Sequence, residues 1–283
     1  MITKGPLRRL RKDKKALTPA ISTTILTSAI IVMLLVTINF ANNYLNARVA
    51  ENEFNAMKQF MQNVGEQIDS VAWIPGQTET IRFASKFGYI SFQPVFLNYS
   101  IYLDGSPSAS FSYLTRILLY NMPINSYNIA DNYYERLIPR STDSFLQAGP
   151  SAPVSRTYII EKLSMNGGSF LRIAVVPCIR MINTTTSTGE STTQNYTRFF
   201  LPILSPGIQT GSSQSVTLRG SQISLEIRTA NNVKIGVTFP NATMGFNEDF
   251  FRFSSQNETV TVEPGSIVEF HTSKVIVSIG LYD

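Results

Sequence analysis

The feature that most constrains this chain is an uncharged stretch near its N-terminus. No charged residue occurs from Ala16 to Ala47. Its densest part, the 22 residues from Ala20 to Ala41, reads AISTTILTSAIIVMLLVTINFA. As a helix rising about 1.5 Å per residue this part is roughly 33 Å long, which matches a hydrocarbon core of about 30 Å. Seven basic residues and one acid precede it in residues 1–16. A basic flank on a short N-terminal segment stays on the cytoplasmic side. The pattern predicts a cytoplasmic leader, a membrane-spanning helix and an extracellular remainder.

The charge distribution supports this division. The whole chain carries a formal net charge of +5, and its first 16 residues alone carry +6. The basic balance is therefore a topology signal, and no nucleic-acid partner is expected.

An ordinary secretory signal has an apolar core of about 7–15 residues followed by a small-x-small cleavage site. Here the apolar run is longer and continues into Asn42-Asn43-Tyr44-Leu45 without such a site. At its start stands Lys14-Lys15-Ala16-Leu17-Thr18-Pro19-Ala20-Ile21. This order resembles the class III signal peptide of archaeal type IV pilins and archaellins, over roughly residues 8–45. The resemblance implies a prepilin peptidase as processing partner. The cut would fall between Ala16 and Leu17, with Lys14 and Lys15 as the basic determinants. It also implies that the apolar helix stays on the mature subunit and assembles with copies of itself or other pilins. Two departures stand out: the family often has Gly in place of Ala16, and Ser-Pro in place of Thr18-Pro19. The glutamate of bacterial pilins is absent, since the fifth mature residue would be Ile21, which favours the archaeal branch.

Local chemistry suits a helix start here. Thr18 is expected to cap, and Pro19 to sit in the first turn, where its missing N–H costs nothing. The hydroxyls of Thr23, Thr24, Thr27 and Ser28 are expected to bond back to helix carbonyls.

Beyond the apolar run, Ala50, Phe54, Met57, Met61, Val64, Ile68 and Val71 follow one another at alternating steps of four and three. That is an apolar seam along one helix face. No proline interrupts until Pro75, so Leu17 to about Ala72 is read as one helix, roughly 84 Å long. The seam is expected to pack on the chain's own β domain and, in a filament, on neighbouring subunits as well. The assembly surface is assigned to Ile21, Ile25, Val32 and Leu35 in the apolar half. Phe54, Met57, Met61, Val64 and Ile68 are assigned to it in the amphipathic half.

From Pro75-Gly76 on, short alternating runs separated by turn residues replace the helical pattern. About a dozen strands are expected in the 208 residues from Gly76, with a hairpin signal at Asn166-Gly167-Gly168. Phe111–Tyr120 fits either strand or helix, and residues 121–155 read as long loops. The Thr-rich stretch 181–198 reads as a projecting loop or hairpin tip. The predicted fold class is α+β, a long N-terminal helix followed by an all-β, sandwich-like extracellular domain. The predicted divisions are 1–16, 17–74 and 75–283. Five Asn-x-Ser/Thr sequons, at Asn98, Asn183, Asn195, Asn241 and Asn257, are candidate glycosylation sites.

Chemistry-bearing motifs are few. With one cysteine, Cys178, and one histidine, His271, the chain has neither an internal disulfide nor a usual zinc-ligand set. Cys178 reads as a small buried apolar residue, and Glu248-Asp249 as a solvated pair. No nucleophile-elbow, phosphate-loop or dinucleotide motif is present. No catalytic residue, metal or cofactor is assigned, and the chain is read as a non-enzyme. The expected function is that of a structural subunit in an archaeal type IV pilus-like filament displaying a glycosylated β domain, with adhesion as a further expected role. The alternative is an uncleaved single-pass membrane anchor displaying an extracellular β domain that binds a ligand or surface partner.

Overall fold

Only Pro19 and Gly65 weaken the helical pattern ahead of Pro75-Gly76, and the chain folds accordingly. A computed structural model describes residues 14–130, 133–140, 142–149, 155–165, 168–187, 193–210 and 214–279. Helix α1 runs unbroken over Lys14–Ala72, 59 residues. It begins three residues earlier than expected, so Thr18 lies inside the helix. Gly76, at φ +88°, takes the left-handed conformation that glycine adopts without penalty, and the chain turns away from the helix there.

The molecule divides into two units. One reaches Val49, and the second runs from Ala50. The second unit therefore begins 25 residues before the Pro75 boundary expected from the sequence. In the first unit α1 exposes every described side chain from Ile21 to Val49.

The second unit contains the C-terminal part of α1 and thirteen strands. In chain order these are β1 Thr78–Arg82, β2 Tyr89–Leu103, β3 Phe111–Pro123, β4 Tyr134–Ile138, β5 Leu146–Ala148, β6 Ser155–Met165 and β7 Gly168–Pro177. Then come β8 Ile179–Ser187, β9 Thr193–Gln209, β10 Ser215–Thr229, β11 Asn232–Thr238, β12 Asn257–Thr261 and β13 Ile267–Ile279. A short helix, α2, spans Glu248–Phe251. The strands form a six-stranded sheet, β1-β10-β13-β9-β8-β5, and a seven-stranded sheet, β12-β11-β2-β3-β7-β6-β4. Most pairs are antiparallel, while β13 with β9 and β5 with β8 are parallel.

Two apolar clusters explain which residues became strands. In the first, Leu119 of β3 and Ala174 and Val176 of β7 meet Phe199 and Leu201 of β9 and Phe270 of β13. In the second, Leu118 and Tyr120 of β3 and Val175 of β7 join Leu204, Val275 and Val277 of the other sheet. Successive residues of β3 and β7 thus enter different clusters, so these strands are buried on both faces. The second cluster also takes in the seam of α1. Phe54, Met57, Met61, Val64, Ile68 and Val71 are each no more than 1% exposed. Burying a large apolar side chain fully contributes about 1.5–3 kcal/mol, so the seam is a major part of this core.

Several elements differ from expectation. Phe111–Tyr120 is strand throughout. The predicted loop region 121–155 contains β4 and β5, and the Thr-rich stretch is strand where β8 and β9 pair from Arg180↔Phe200 to Ser187↔Thr193. Residues 188–192, between them, lie outside the described residues, as do the hairpin tip Asn166-Gly167 and the leader 1–13.

Gly220 sits where β10 shifts register against β13. A Cβ there would overlap the carbonyl oxygens of Val71 and, at 2.6 Å, of Ile74. Only glycine lets the strand approach the end of α1 so closely.

Candidate functional site

The most unusual surface is the apolar flank of α1. Ile21, Ile25, Val32 and Leu35 are 52, 64, 59 and 62% exposed, and the candidate membrane-spanning window is not buried at all by the rest of the chain. Three of its hydroxyls are satisfied within the helix. Thr27 Oγ1 donates to the Thr23 carbonyl, Ser28 Oγ to the Thr24 carbonyl at 2.8 Å, and Thr37 Oγ1 to the Met33 carbonyl at 2.7 Å. Hydroxyls bonded back in this way do not face lipid or an apolar neighbour as unmet donors. At its C-terminal margin Arg48 Nε donates to Tyr44 Oη at 3.2 Å, and the guanidinium lies over the Tyr44 ring. An aromatic ring with a long cationic side chain is the pairing that suits a membrane–water boundary.

The other half of the assembly assignment needs correction. The sequence assigns Phe54, Met57, Met61, Val64 and Ile68 both to the chain's own β domain and to neighbouring subunits. They are buried within the second unit and have no surface left to offer a neighbour.

Polar contacts around the seam fix α1 to the sheets. The Glu53 carboxylate accepts from Ser85 Oγ at 2.6 Å, from the Lys86, Phe87 and Gly88 N–H groups at 2.8–3.2 Å, and from Tyr120 Oη at 2.8 Å. Partial burial opposes its ionisation, but the hydrogen bonds from Ser85, Lys86, Gly88 and Tyr120 outweigh it and hold the carboxyl below its ordinary pKa. Burial and the adjacent Glu53 push the Tyr120 phenol up, so it stays a neutral donor. Gly88 is required beside it, because a Cβ would overlap the Tyr120 ring. Lys58 pairs with Glu135 at 2.8 Å. Ser273 Oγ donates to the Ala72 carbonyl, supplying a donor to the otherwise open helix end. Sequence reasoning missed Glu53 because its partners, three backbone N–H groups and two hydroxyls, lie more than thirty residues away.

The processing residues Lys14, Lys15, Ala16 and Leu17 all lie in the first turns of α1. The Ala16–Leu17 bond is therefore helical. Pro19 supplies no N–H to the Lys15 carbonyl, which weakens the first turns.

The sequons are placed unequally. Asn183 is exposed on β8 and Asn257 is exposed at the start of β12. Asn98 lies on β2 between β11 and β3, with its Oδ1 accepting from Ser112 Oγ at 2.6 Å. Asn195 accepts from Thr185 Oγ1 at 2.9 Å and gives its amide to Glu263. Asn195 lines a polar groove of about 260 Å³ together with Asn183, Thr185, Tyr196, Glu263 and Ser266. Asn241 is half-buried beside the turn Ala242–Met244.

Cys178 is fully buried beside Tyr99 and Arg156, and burial pushes its thiol up to about 11. It is an unreactive thiol at neutral pH. His271 stacks on Phe200 with its Nε2 3.1 Å from Glu269. Glu248 and Asp249 are exposed in the first turn of α2. Among the described residues no three His, Cys, Asp or Glu side chains gather where they could hold a metal ion. No family model, curated protein or solved structure matches the chain.

Proposed function

We propose that this chain is a structural subunit of an archaeal type IV pilus-like surface filament. Its basic leader is cytoplasmic and removed after Ala16. Its β unit, two sheets stacked as a sandwich, is extracellular, glycosylated and available for adhesion. The observation that carries the reading is the apolar flank of α1, exposed from Ile21 onward directly after the Lys14-Lys15-Ala16-Leu17-Thr18-Pro19 sequence. In a membrane that surface faces lipid. Out of the membrane it must be covered by equivalent helices. Burying 1,000 Å² of it corresponds to roughly 25 kcal/mol at about 25 cal/mol per Å² before entropic costs, enough to hold subunits without covalent links.

The test is a charge in that surface. Asp at the centre of a spanning helix costs about 2.5–3.5 kcal/mol of insertion and leaves an uncompensated charge between packed helices. Val32→Asp or Leu35→Asp should remove fibres from material sheared off the cell surface, seen by electron microscopy. Wild-type protein confined to the membrane fraction, never in fibres, sinks the filament reading.

One observation favours the second reading, an uncleaved anchor. The helix extends through the Ala16–Leu17 bond to Lys14, so a peptidase must unwind its first turns before cutting. Intact Met1 peptides from purified membranes would promote the anchor.

A further inference from the structure

We infer that the β10 edge is a self-association site, at which two copies of this chain pair antiparallel about Leu225. β1 covers β10 only as far as Thr78↔Arg219, with Gly76 and Gln77 bonded to Gly220 just beyond. From Gln222 to Thr229 the strand pairs with β13 on one side. Among the described residues no strand pairs with its other side. Apart from the Ile227 carbonyl, which accepts from the Arg228 guanidinium at 2.7 Å, the outward backbone N–H and C=O groups have no strand partner, the arrangement that accepts an added strand.

This edge lacks the usual guards. The segment Gln222–Thr229, QISLEIRT, contains no proline and no lysine, and only the register shift at Gly220/Gln222 interrupts it. Ile223, Leu225 and Ile227 alternate along it and are 39, 46 and 51% exposed. They share one face, on which Leu225, His271 and Phe200 stand in one row across three strands. The alternate residues Glu226 and Arg228 pair with each other at 3.2 Å, and Arg228 lies over Phe111.

The pattern selects the occupant, because Ile-x-Leu-x-Ile reads the same in both directions. In an antiparallel pair centred on Leu225, Leu225 faces Leu225 of the second copy, and Ile223 faces Ile227. Glu226 then faces Ser224 and Arg228 faces Gln222, so no like charges oppose. Centring the pair on Glu226 sets two carboxylates against each other, which disfavours that register. Centring it on Ile227 keeps a single apolar pair. The contact is a two-fold one and does not depend on the filament reading. Successive subunits of a helical filament are related by a screw rotation, so in a filament this edge joins chains of different filaments.

The experiment uses cysteine cross-linking of the full chain in detergent, where the only native thiol, Cys178, is buried. Leu225→Cys should form a disulfide dimer on mild oxidation, since directly opposed strand residues have Cα atoms about 4.5–5.5 Å apart. Ile223→Cys alone should form none, while Ile223→Cys combined with Ile227→Cys should restore the dimer. Adding Ile227→Lys to Leu225→Cys should cut the cross-linked fraction at least tenfold, with an unchanged circular dichroism spectrum. Absence of the Leu225→Cys dimer, or equal cross-linking by Ile223→Cys alone, overturns the proposal. Random collision or association through α1 alone would give that second pattern.

Discussion

Removing the Glu53 carboxylate should loosen the grip of the β unit on α1. In Glu53→Ala, three backbone N–H groups of the 86–88 loop and the Ser85 and Tyr120 hydroxyls lose their common acceptor. A buried donor left unmet costs about 1–3 kcal/mol, and hydrogen bonds to a charged group contribute about 1.5–3 kcal/mol each. The site is only partly buried, so water takes over some of these donors. A net loss of about 2–3 kcal/mol follows, equivalent to roughly 4–12 °C in Tm for a unit of this size. The assay is urea or thermal unfolding of the full chain in detergent, followed by the fluorescence of Trp73, the one tryptophan. Trp73 sits edge-on to Phe200 and donates to Asp69 at 3.1 Å, so its emission reports the seated helix. The pH dependence carries a sign. The folded-state carboxyl lies below its ordinary value, so its contribution is complete above the unfolded pKa of about 4.3 and is lost as pH falls through the folded value. Glu53→Gln should be less stable than wild type at pH 7, and the gap should narrow below about pH 4.3. A Glu53→Ala protein within 0.5 kcal/mol of wild type (about the scatter of an ordinary surface substitution) would refute this account of the helix attachment.

Two further outcomes are expected. A chain starting at Pro75 loses the buried side chains from Ala50 to Ala72 and should be insoluble or molten, whereas one starting at Ala50 keeps them and should give a cooperative transition by circular dichroism. In protein recovered from the cell surface, glycopeptide mass spectrometry should find sugar at exposed Asn183. It should find Asn98 bare, because that residue lies on a strand flanked on both sides.

The seam of α1 was legible in the sequence because it has one buried face, and a single face writes its period directly into the residue order. β3 was not, because Ile117 and Leu119 enter one core while Leu118 and Tyr120 enter the other, which erases the alternation that marks a strand. In β13, polar Thr272-Ser273-Lys274 interrupts the apolar runs and hides the length of the strand in the sequence. Ser273 is nevertheless fully buried, since it satisfies the Ala72 carbonyl at the end of α1. In β10, Gly220 carries the residue type of a turn but serves a close approach of strand to helix. The short strands β4 and β5 carry too few residues to show a period. In the candidate site, the exposed apolar residues were readable from composition alone. The Glu53 contacts were not, because three of their donors are backbone groups and the Ser85 and Tyr120 hydroxyls lie far away in the chain.

The central claim, a processed subunit held in a fibre by its apolar helix, is tested most directly by one measurement. Fibres sheared from the cell surface are isolated, and the N-terminal peptide of this chain within them is determined by mass spectrometry. The account predicts a chain beginning at Leu17, lacking the first 16 residues, with Lys15→Ala blocking both the cut and the fibre. A chain in those fibres that still begins at Met1, or its absence from every fibre while the intact form fills the membrane, would contradict it.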